Sequence, residues 1–344
     1  MHVTEICEVF GLGTPKGPPS YVARGELGRV SRLATTTGSW AIKEIQLFLP
    51  TIDEADTNVD FQELMLAAGV DLPRPRRTVD GHALFQNVRV YEWLDLTPIP
   101  TADTNEDERV AATLARMHLH APPTDHKPDP WYCQPTTRDE WNALLEDGAG
   151  TWWTTVITEL LPELADAAPP EHSPAQICHL DVCPENVFLS NGRLTIIDWE
   201  NAGPAATIQD LGSTLWDFCH GDIERTRAFA DHYRRHNGPL DQLEVSAFDM
   251  ARVVQANLIA FHCRHILDPS ATPETRNRAE DALRSSLARP LTKKLIDDLL
   301  TAPSQRRPGA PVPQTCRYST PTVDALGEKI DPPADPEQLS GLDA

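Results

Sequence analysis

No stretch of this sequence stays apolar for the roughly 18–20 residues that a membrane-spanning helix needs. Its opening residues, MHVTEICEVFGLG, lack the basic flank and long apolar core of a secretory signal, so a soluble cytoplasmic protein is expected. The cysteines supply no framework: Cys7, Cys133, Cys178, Cys183, Cys219, Cys263 and Cys316 are odd in number, scattered and without a CxxC pair, which points to reduced thiols. Cys178, His179, Cys183, Cys219 and His220 match no usual zinc spacing. Gly11-Leu12-Gly13 is not followed by the Lys-Ser/Thr ending of a phosphate loop and reads as a turn. Basic residues are scarce: Lys and Arg number 30 against 51 Asp and Glu, for a net charge of −21. A surface of that sign repels nucleic-acid phosphates and anionic lipid, so neither is an expected partner, and it attracts a cationic small molecule.

What is present is a chain of 344 residues, 40% hydrophobic and 24% charged, long enough for two domains or two lobes. Residues 19–47 alternate in strand fashion with breaks at Gly25, Gly28 and Thr36-Thr37-Gly38, predicting three antiparallel strands. DFQELMLAAG at 60–69 has helical spacing and a glycine stop, and HALFQNV and RVYEWL predict two further strands. Helical periods dominate from 104: first 104–120, with acidic residues at its start, then 138–147, 151–167, 210–236, 241–267 and 273–301. One β segment interrupts them, near Ile177 and again through VFLSNGRLTIIDW, where Asn191-Gly192 marks a two-residue hairpin. No internal repeat is evident. From Pro303 onward the chain is proline-rich with few large apolar residues, predicting a flexible tail. The tail's charge is 4 basic minus 6 acidic, or −2, so −19 of the −21 belongs to the remainder.

The chemistry concentrates in HLDVCPEN, His179 to Asn186, followed by a hairpin and by IIDWE ending at Glu200. Phosphoryl transfer from a nucleotide needs one carboxylate to orient the attacking hydroxyl, and a second carboxylate with an amide oxygen to hold Mg²⁺ against the phosphates. Asp181, Asp198 and Asn186 suit those roles, and a hairpin between Asn186 and Asp198 returns the two metal ligands to one edge. In AIKEI, Lys43 lies within an apolar strand, where an unpaired ammonium is costly to bury. Glu63, twenty residues on, projects from the predicted helix and is its expected partner, the pair anchoring phosphate oxygens. Ala23-x-Gly25-x-x-Gly28-x-Val30 matches a glycine-rich nucleotide loop with Ala23 in place of the first glycine.

In this order, AxGxxGxV, AIKEI, Glu63, HLDVCPEN, IIDWE and QDLGSTLWDF resemble the aminoglycoside phosphotransferase family, which includes choline-kinase-like small-molecule kinases, over residues 20–300. The resemblance implies an α+β, bilobal, protein-kinase-like fold. Residues 1–95 would form a nucleotide-binding sheet lobe with one helix, 96–302 a helical catalytic and acceptor-binding lobe, and 303–344 the tail. It implies ATP, with GTP as the other candidate, bound between lobes against a hinge at Tyr91, Glu92, Trp93 and Leu94. It also implies Asp181 as catalytic carboxylate, Asn186 and Asp198 as Mg²⁺ ligands, Lys43 with Glu63 as phosphate anchor, Asp210 as a brace for the catalytic loop, and His179 as an ordering residue. Leu180 stands where members often carry glycine, and AATIQDLG departs from the usual GDP-containing segment.

The acceptor is expected to be a small cationic molecule. Glu200, Asp217, Asp222 and Glu224 are the acidic candidates to meet it, and Trp152, Trp153, Trp216 and Phe218 the aromatic ones. His118 and His120, at a helix end, read as structural. Three functions remain open at this point: a kinase of aminoglycoside-type antibiotics, a metabolic kinase of choline, an amino sugar or an amino alcohol, and a silent nucleotide-binding protein on a kinase fold. The sequence leaves the oligomeric state open.

Overall fold

The computed structural model describes residues 2–24, 28–100, 104–167, 170 and 175–301; the predicted tail and Gly25 lie outside these. The first part runs α1 (Val3–Val9), β1 (Ser20–Arg24), β2 (Gly28–Ala34), β3 (Ser39–Ile45), α2 (Ile52–Ala67), β4 (Pro75–Arg76) and β5 (Val88–Glu92). Its five strands form one antiparallel sheet in the order β1-β2-β3-β5-β4. Alternation along β3 and β5 sorts their side chains. Trp40, Ile42, Val88 and Val90 bury one face against Ile6, Phe10 and Leu12 of the N-terminal segment. Lys43, Ala41, Arg89 and Tyr91 take the other face.

The second part contains β6 (Thr97–Pro98), α3 (Thr104–His120), α4 (Pro130–Cys133), α5 (Arg138–Asp147), α6 (Trp152–Ala165) and β7 (Gln176–Cys178). It continues with β8 (Val187–Ser190), β9 (Arg193–Ile196), β10 (Gly203–Ala205), α7 (Thr207–Cys219), α8 (Ile223–Arg235), α9 (Asp249–Leu267), α10 (Pro273–Ala288) and α11 (Lys293–Thr301). The β8–β9 hairpin rests on a core that includes Val110, Leu114, Leu211 and Phe229 of α3, α7 and α8. A separate cluster joins Trp141, Trp153, Ile157, Ile259 and Leu283 of α5, α6, α9 and α10. Among the described residues no helix is long and apolar enough to cross a membrane.

Departures from the periodicity have local causes. α2 starts eight residues before 60 because Thr51 and Glu54 form a reciprocal capping box. HALFQNV makes no strand: Phe85 to Val88 is a tight turn with Gln86 left-handed at φ 54°. The 210–236 helix is two helices, broken by His220 and Gly221 at φ 51° and 84° and restarted by the Asp222 cap on the Arg225 N–H. The 273–301 helix breaks ahead of Pro290, and 241–267 opens with a 3₁₀ turn, Val245–Phe248, before α9. Helices α1 and α4 were outside the sequence pattern altogether.

Burial also sets an acid limit. His262, 7% exposed on α9, has its pKa lowered to about 4, first by burial and then by His265. The unfolded chain therefore binds more protons below pH 6.5, and stability drains as pH falls from 6.5 towards 4. At pH 5 the loss from this group is about 2 kcal/mol. His262→Phe is expected to shrink the drop in melting temperature between pH 7 and pH 5; an unchanged drop in calorimetry would contradict the assignment.

Candidate active site

Lys43 is carried to the Asp198 and Glu200 carboxylates by strand geometry. It alternates with buried Ile42 and Glu44 and shares its face with Arg89, its register partner on β5. Its ammonium bonds the Asp198 carboxylate and lies 2.9 Å from Glu200 Oε2, while Glu200 Oε1 accepts the Tyr91 hydroxyl at 3.0 Å. Burial would lower the Lys43 pKa, but Glu200 and Asp198 outweigh it and hold the ammonium charged. Burial would likewise raise that of Glu200, yet Lys43 and then Arg89 pull it below the usual carboxylate range. Burial, then Glu200, pushes the Tyr91 phenol up, so it remains a donor.

Glu63 is not part of this arrangement. Its carboxylate faces Arg77 at 3.0 Å, beside Asp60, on the outside of α2. The early start of α2 explains the correction. The inward stripe carries Ala55, Asn58, Val59 and Gln62, and Glu63 is turned about 100° from Gln62 around the helix. Asn58 receives Arg89 at 3.0 Å and Gln62 at 2.7 Å on its carbonyl oxygen and donates to the Trp199 carbonyl. An amide and a strand arginine thus occupy the place expected for a helix glutamate, and Glu200 supplies the negative charge.

The loop after β7 presents Asp181. Leu180, just before it, is left-handed at φ 67°, a conformation that costs a non-glycine residue about 1–3 kcal/mol. Its N–H is clamped by Asp210 Oδ1 at 3.0 Å. His179 is fully buried, accepts the Asp181 N–H on Nδ1 at 3.3 Å and faces the Ile197 carbonyl with Nε2 at 3.2 Å. The ring is therefore the neutral Nε2–H tautomer, and burial lowers its pKa to about 4 despite Asp210. It also stacks edge-on against Trp199, with ring centroids 4.6 Å apart. His179 thus ties the Asp181 loop to the strand end that delivers Asp198.

The hairpin returns its two ends together: Val187 pairs with Ile196, and the Ile197 N–H reaches the Asn186 carbonyl at 2.9 Å. Asn186 donates Nδ2 to the Asp181 carbonyl at 3.0 Å and to Asp181 Oδ2 at 2.9 Å. That fixes its amide orientation and leaves Oδ1 without a donor among the described residues. The half-exposed Asp198 carboxylate, on a left-handed residue at φ 66°, is the other open oxygen donor. A carboxylate and an amide oxygen are hard ligands suited to Mg²⁺, so the pair fits the ion the motif implies. Asp181 is influenced by both neighbours. Burial and then Asp198 raise its pKa to about 6, while Asn201 (3.1 Å) and Asn186 oppose the rise by donating to the ionised form. It is ionised at neutral pH and basic enough to take a hydroxyl proton.

The remaining candidates separate. Glu200 belongs to Lys43. Asp222 caps α8, and Glu224 pairs with Arg227 at 3.7 Å on its surface. Asp217, on α7, has no hydrogen bond or ion pair among the described residues; burial, then Asp181 and Glu185, raise its pKa well above the usual value. Trp153 and Phe218 are core, Trp216 packs against that core, and Trp152 lies under Arg284 at 4.0 Å. At the expected hinge, Glu92 turns to Arg74 at 3.9 Å and Trp93 lies beneath Arg32 at 4.8 Å; Leu94 is half-buried beside them. Gly28 has a packing reason of its own, since a Cβ there would collide with the Glu44 carbonyl on β3. Arg89, Asn58 and Asn201 were missed. The one available signal was Arg89, a charge in an apolar strand as Lys43 is.

The fold and the family pattern have known counterparts. The model of the phosphotransferase enzyme family matches residues 21–252. No curated protein sequence matches the chain. Among solved structures, a spectinomycin phosphotransferase in complex with ADP and spectinomycin superposes with a TM-score of 0.59 at 12% identity, covering 82% of this chain and 92% of that one. The amicoumacin kinase hAmiN in complex with AMP-PNP, Ca²⁺ and Ami gives 0.57 at 14%, covering 85% and 93%. A choline/ethanolamine kinase family protein from Mesorhizobium loti gives 0.56 at 14%, covering 86% and 96%. At these identities the likeness is one of fold, whereas the family match runs through the sheet, the Asp181 loop and α7, and by it the chain belongs to the ATP-dependent phosphotransferase enzyme family.

Proposed function

We propose that the protein moves the γ-phosphoryl group of ATP to a hydroxyl of a small acceptor that carries an ammonium group. The observation behind the acceptor class is Asp217, which has no hydrogen bond or ion pair among the described residues and whose pKa is raised by burial and then by the charges of Asp181 and Glu185. A cation placed there relieves that repulsion, and its hydroxyl then lies near Asp181. Aminoglycoside-type antibiotics and amino alcohols such as choline both meet this chemistry.

In this reading Asp181 orients the acceptor hydroxyl and takes its proton as the new O–P bond forms and the bond to the ADP oxygen breaks. Asn186 and Asp198 hold Mg²⁺, which supplies charge neutralisation on the phosphates. Lys43 passes from the Asp198 carboxylate to phosphate oxygens while Glu200, held by Tyr91, keeps it aimed. Glu92 and Leu94 meet the base through their main chain, and the glycines at 25 and 28 let backbone amides approach the phosphates, as the motif implies. Catalysis is then positioning and charge stabilisation.

The assay is ADP release from Mg-ATP over spectinomycin, kanamycin, choline, ethanolamine and 1-amino-2-propanol. Asp181→Asn is expected to lower kcat by about 10²–10⁴ with binding of an ATP analogue retained; wild-type turnover would remove Asp181 from the chemistry. No turnover of any acceptor by wild-type protein that binds Mg-ATP tightly would favour the silent reading. Glu200→Gln should raise KM for ATP at least tenfold, whereas Glu63→Gln should leave it within twofold; the reverse ranking would restore the helix glutamate as anchor. Asp217→Asn is expected to raise KM for the amine about tenfold or more, at unchanged KM for ATP, one charge-assisted bond being worth about 1.5–3 kcal/mol. An acceptor KM unmoved by this change would discard the cationic assignment.

A further inference from the structure

Four elements meet behind the catalytic loop through a buried polar chain that the reaction does not touch. Asp210 of α7 spends Oδ1 on the Leu180 N–H at 3.0 Å and Oδ2 on His118 Nε2 of α3 at 2.9 Å. His118 Nδ1 lies 2.6 Å from the Tyr233 hydroxyl of α8. All three side chains are fully or almost fully buried.

The chain has a direction. A carboxylate only accepts, so His118 must present Nε2–H to Asp210. In the neutral ring Nδ1 then carries a lone pair, and the phenol is its donor. Without that hydroxyl the Nδ1 lone pair is buried without a donor, and relieving it by a turn of the ring or by the Nδ1–H tautomer would break the Nε2–H bond to the Asp210 carboxylate. Asp210 would then be free to turn, and Leu180 would lose the clamp on its left-handed backbone, one residue before Asp181.

Tyr233 is held to this task by shape as well. Its ring stands edge-on to His118, 5.7 Å between centroids, and fills a slot that exists because residue 238 is glycine: a Cβ there would overlap the ring. A phenylalanine would fill the same slot, so packing does not account for the hydroxyl. Cys178 Sγ also lies within 4.8 Å of the His118 and Asp210 ligand atoms, but both ring nitrogens of His118 already have partners.

We propose that Tyr233 is a positioning residue that, through His118 and Asp210, holds the Leu180 turn and so aims the Asp181 carboxylate. This rests on Asp181 being the catalytic group. The test is steady-state kinetics of ADP release from Mg-ATP, with the five acceptors above and with water alone, for Tyr233→Phe, His118→Leu and His118→Gln. The glutamine amide can both donate to Asp210 and accept from Tyr233; leucine can do neither. Tyr233→Phe is expected to lower kcat about fivefold or more with KM for ATP within twofold. His118→Gln should keep more turnover than His118→Leu, and adding Tyr233→Phe to His118→Leu should cost nothing further. Unchanged kcat in Tyr233→Phe, or equal losses in the glutamine and leucine variants, would overturn the proposal even if melting temperatures fall. Should Tyr233→Phe not fold, the two His118 variants decide alone. If Asp181→Asn retains full turnover, the reading of the site fails instead, and the two failures are distinguishable.

Discussion

A lysine inside a sheet needs anions, and the demand of Lys43 organises the cleft. Its counter-charges, Asp198 and Glu200, come from the far side of the β8–β9 hairpin rather than from α2. One buried ammonium therefore ties the N-terminal sheet to the end of β9. Breaking a partly buried pair of this kind on one side leaves a charge stranded, which costs more than the intact pair contributes. Tyr91 and Arg89, on the same face of β5, complete the shell, and Asn58 fastens α2 to it through the Trp199 carbonyl. Sheet, helix and hairpin thus share one electrostatic centre.

Two residues beside that centre, Leu180 and Asp198, hold left-handed backbones although neither is glycine. Each is stabilised by groups from elsewhere: Asp210 clamps the first, and His179 links the Asp181 N–H to the Ile197 carbonyl just before the second. Strain of this kind persists only where the surroundings over-determine it. For Leu180 the surroundings are buried, hydrogen-bonded side chains from α3, α7 and α8, and for Asp198 they include the buried His179 ring, so groups outside the strand ends set the direction of the two carboxylates.

The α+β class, the strand-borne Lys43 and the hairpin between Asn186 and Asp198 were legible because each has a local signature: alternation, a charge in an apolar run, Asn-Gly between apolar triplets. Glu63 was misread because helix phase is fixed at the start. The capping box at Thr51 and Glu54 rotates Asn58 and Gln62 inward, and a window opening at residue 60 cannot see it. Glu200 was assigned to the acceptor because nothing in IIDWE says that β9 ends opposite β3. His118, expected to be structural, is indeed buried and hydrogen-bonded, but its partners lie 92 and 115 positions away and no local pattern names them. Pairings at such separations are set by tertiary packing, which periodicity does not encode.

The large negative charge then takes on a narrower meaning. Most surface carboxylates are solvated and contribute little to binding. Asp181, Asp198 and Asp217 differ because they are partly buried and because, among the described residues, no arginine or lysine apart from Lys43 is paired with them. In the free protein burial first, and then their mutual repulsion, opposes folding, as the raised pKa values of Asp181 and Asp217 express. A divalent ion between Asn186 and Asp198, and an ammonium at Asp217, would each remove part of that cost on binding. The same burial and crowding that weaken the site therefore favour its proposed ligands, and they do so by charge before any contact of shape.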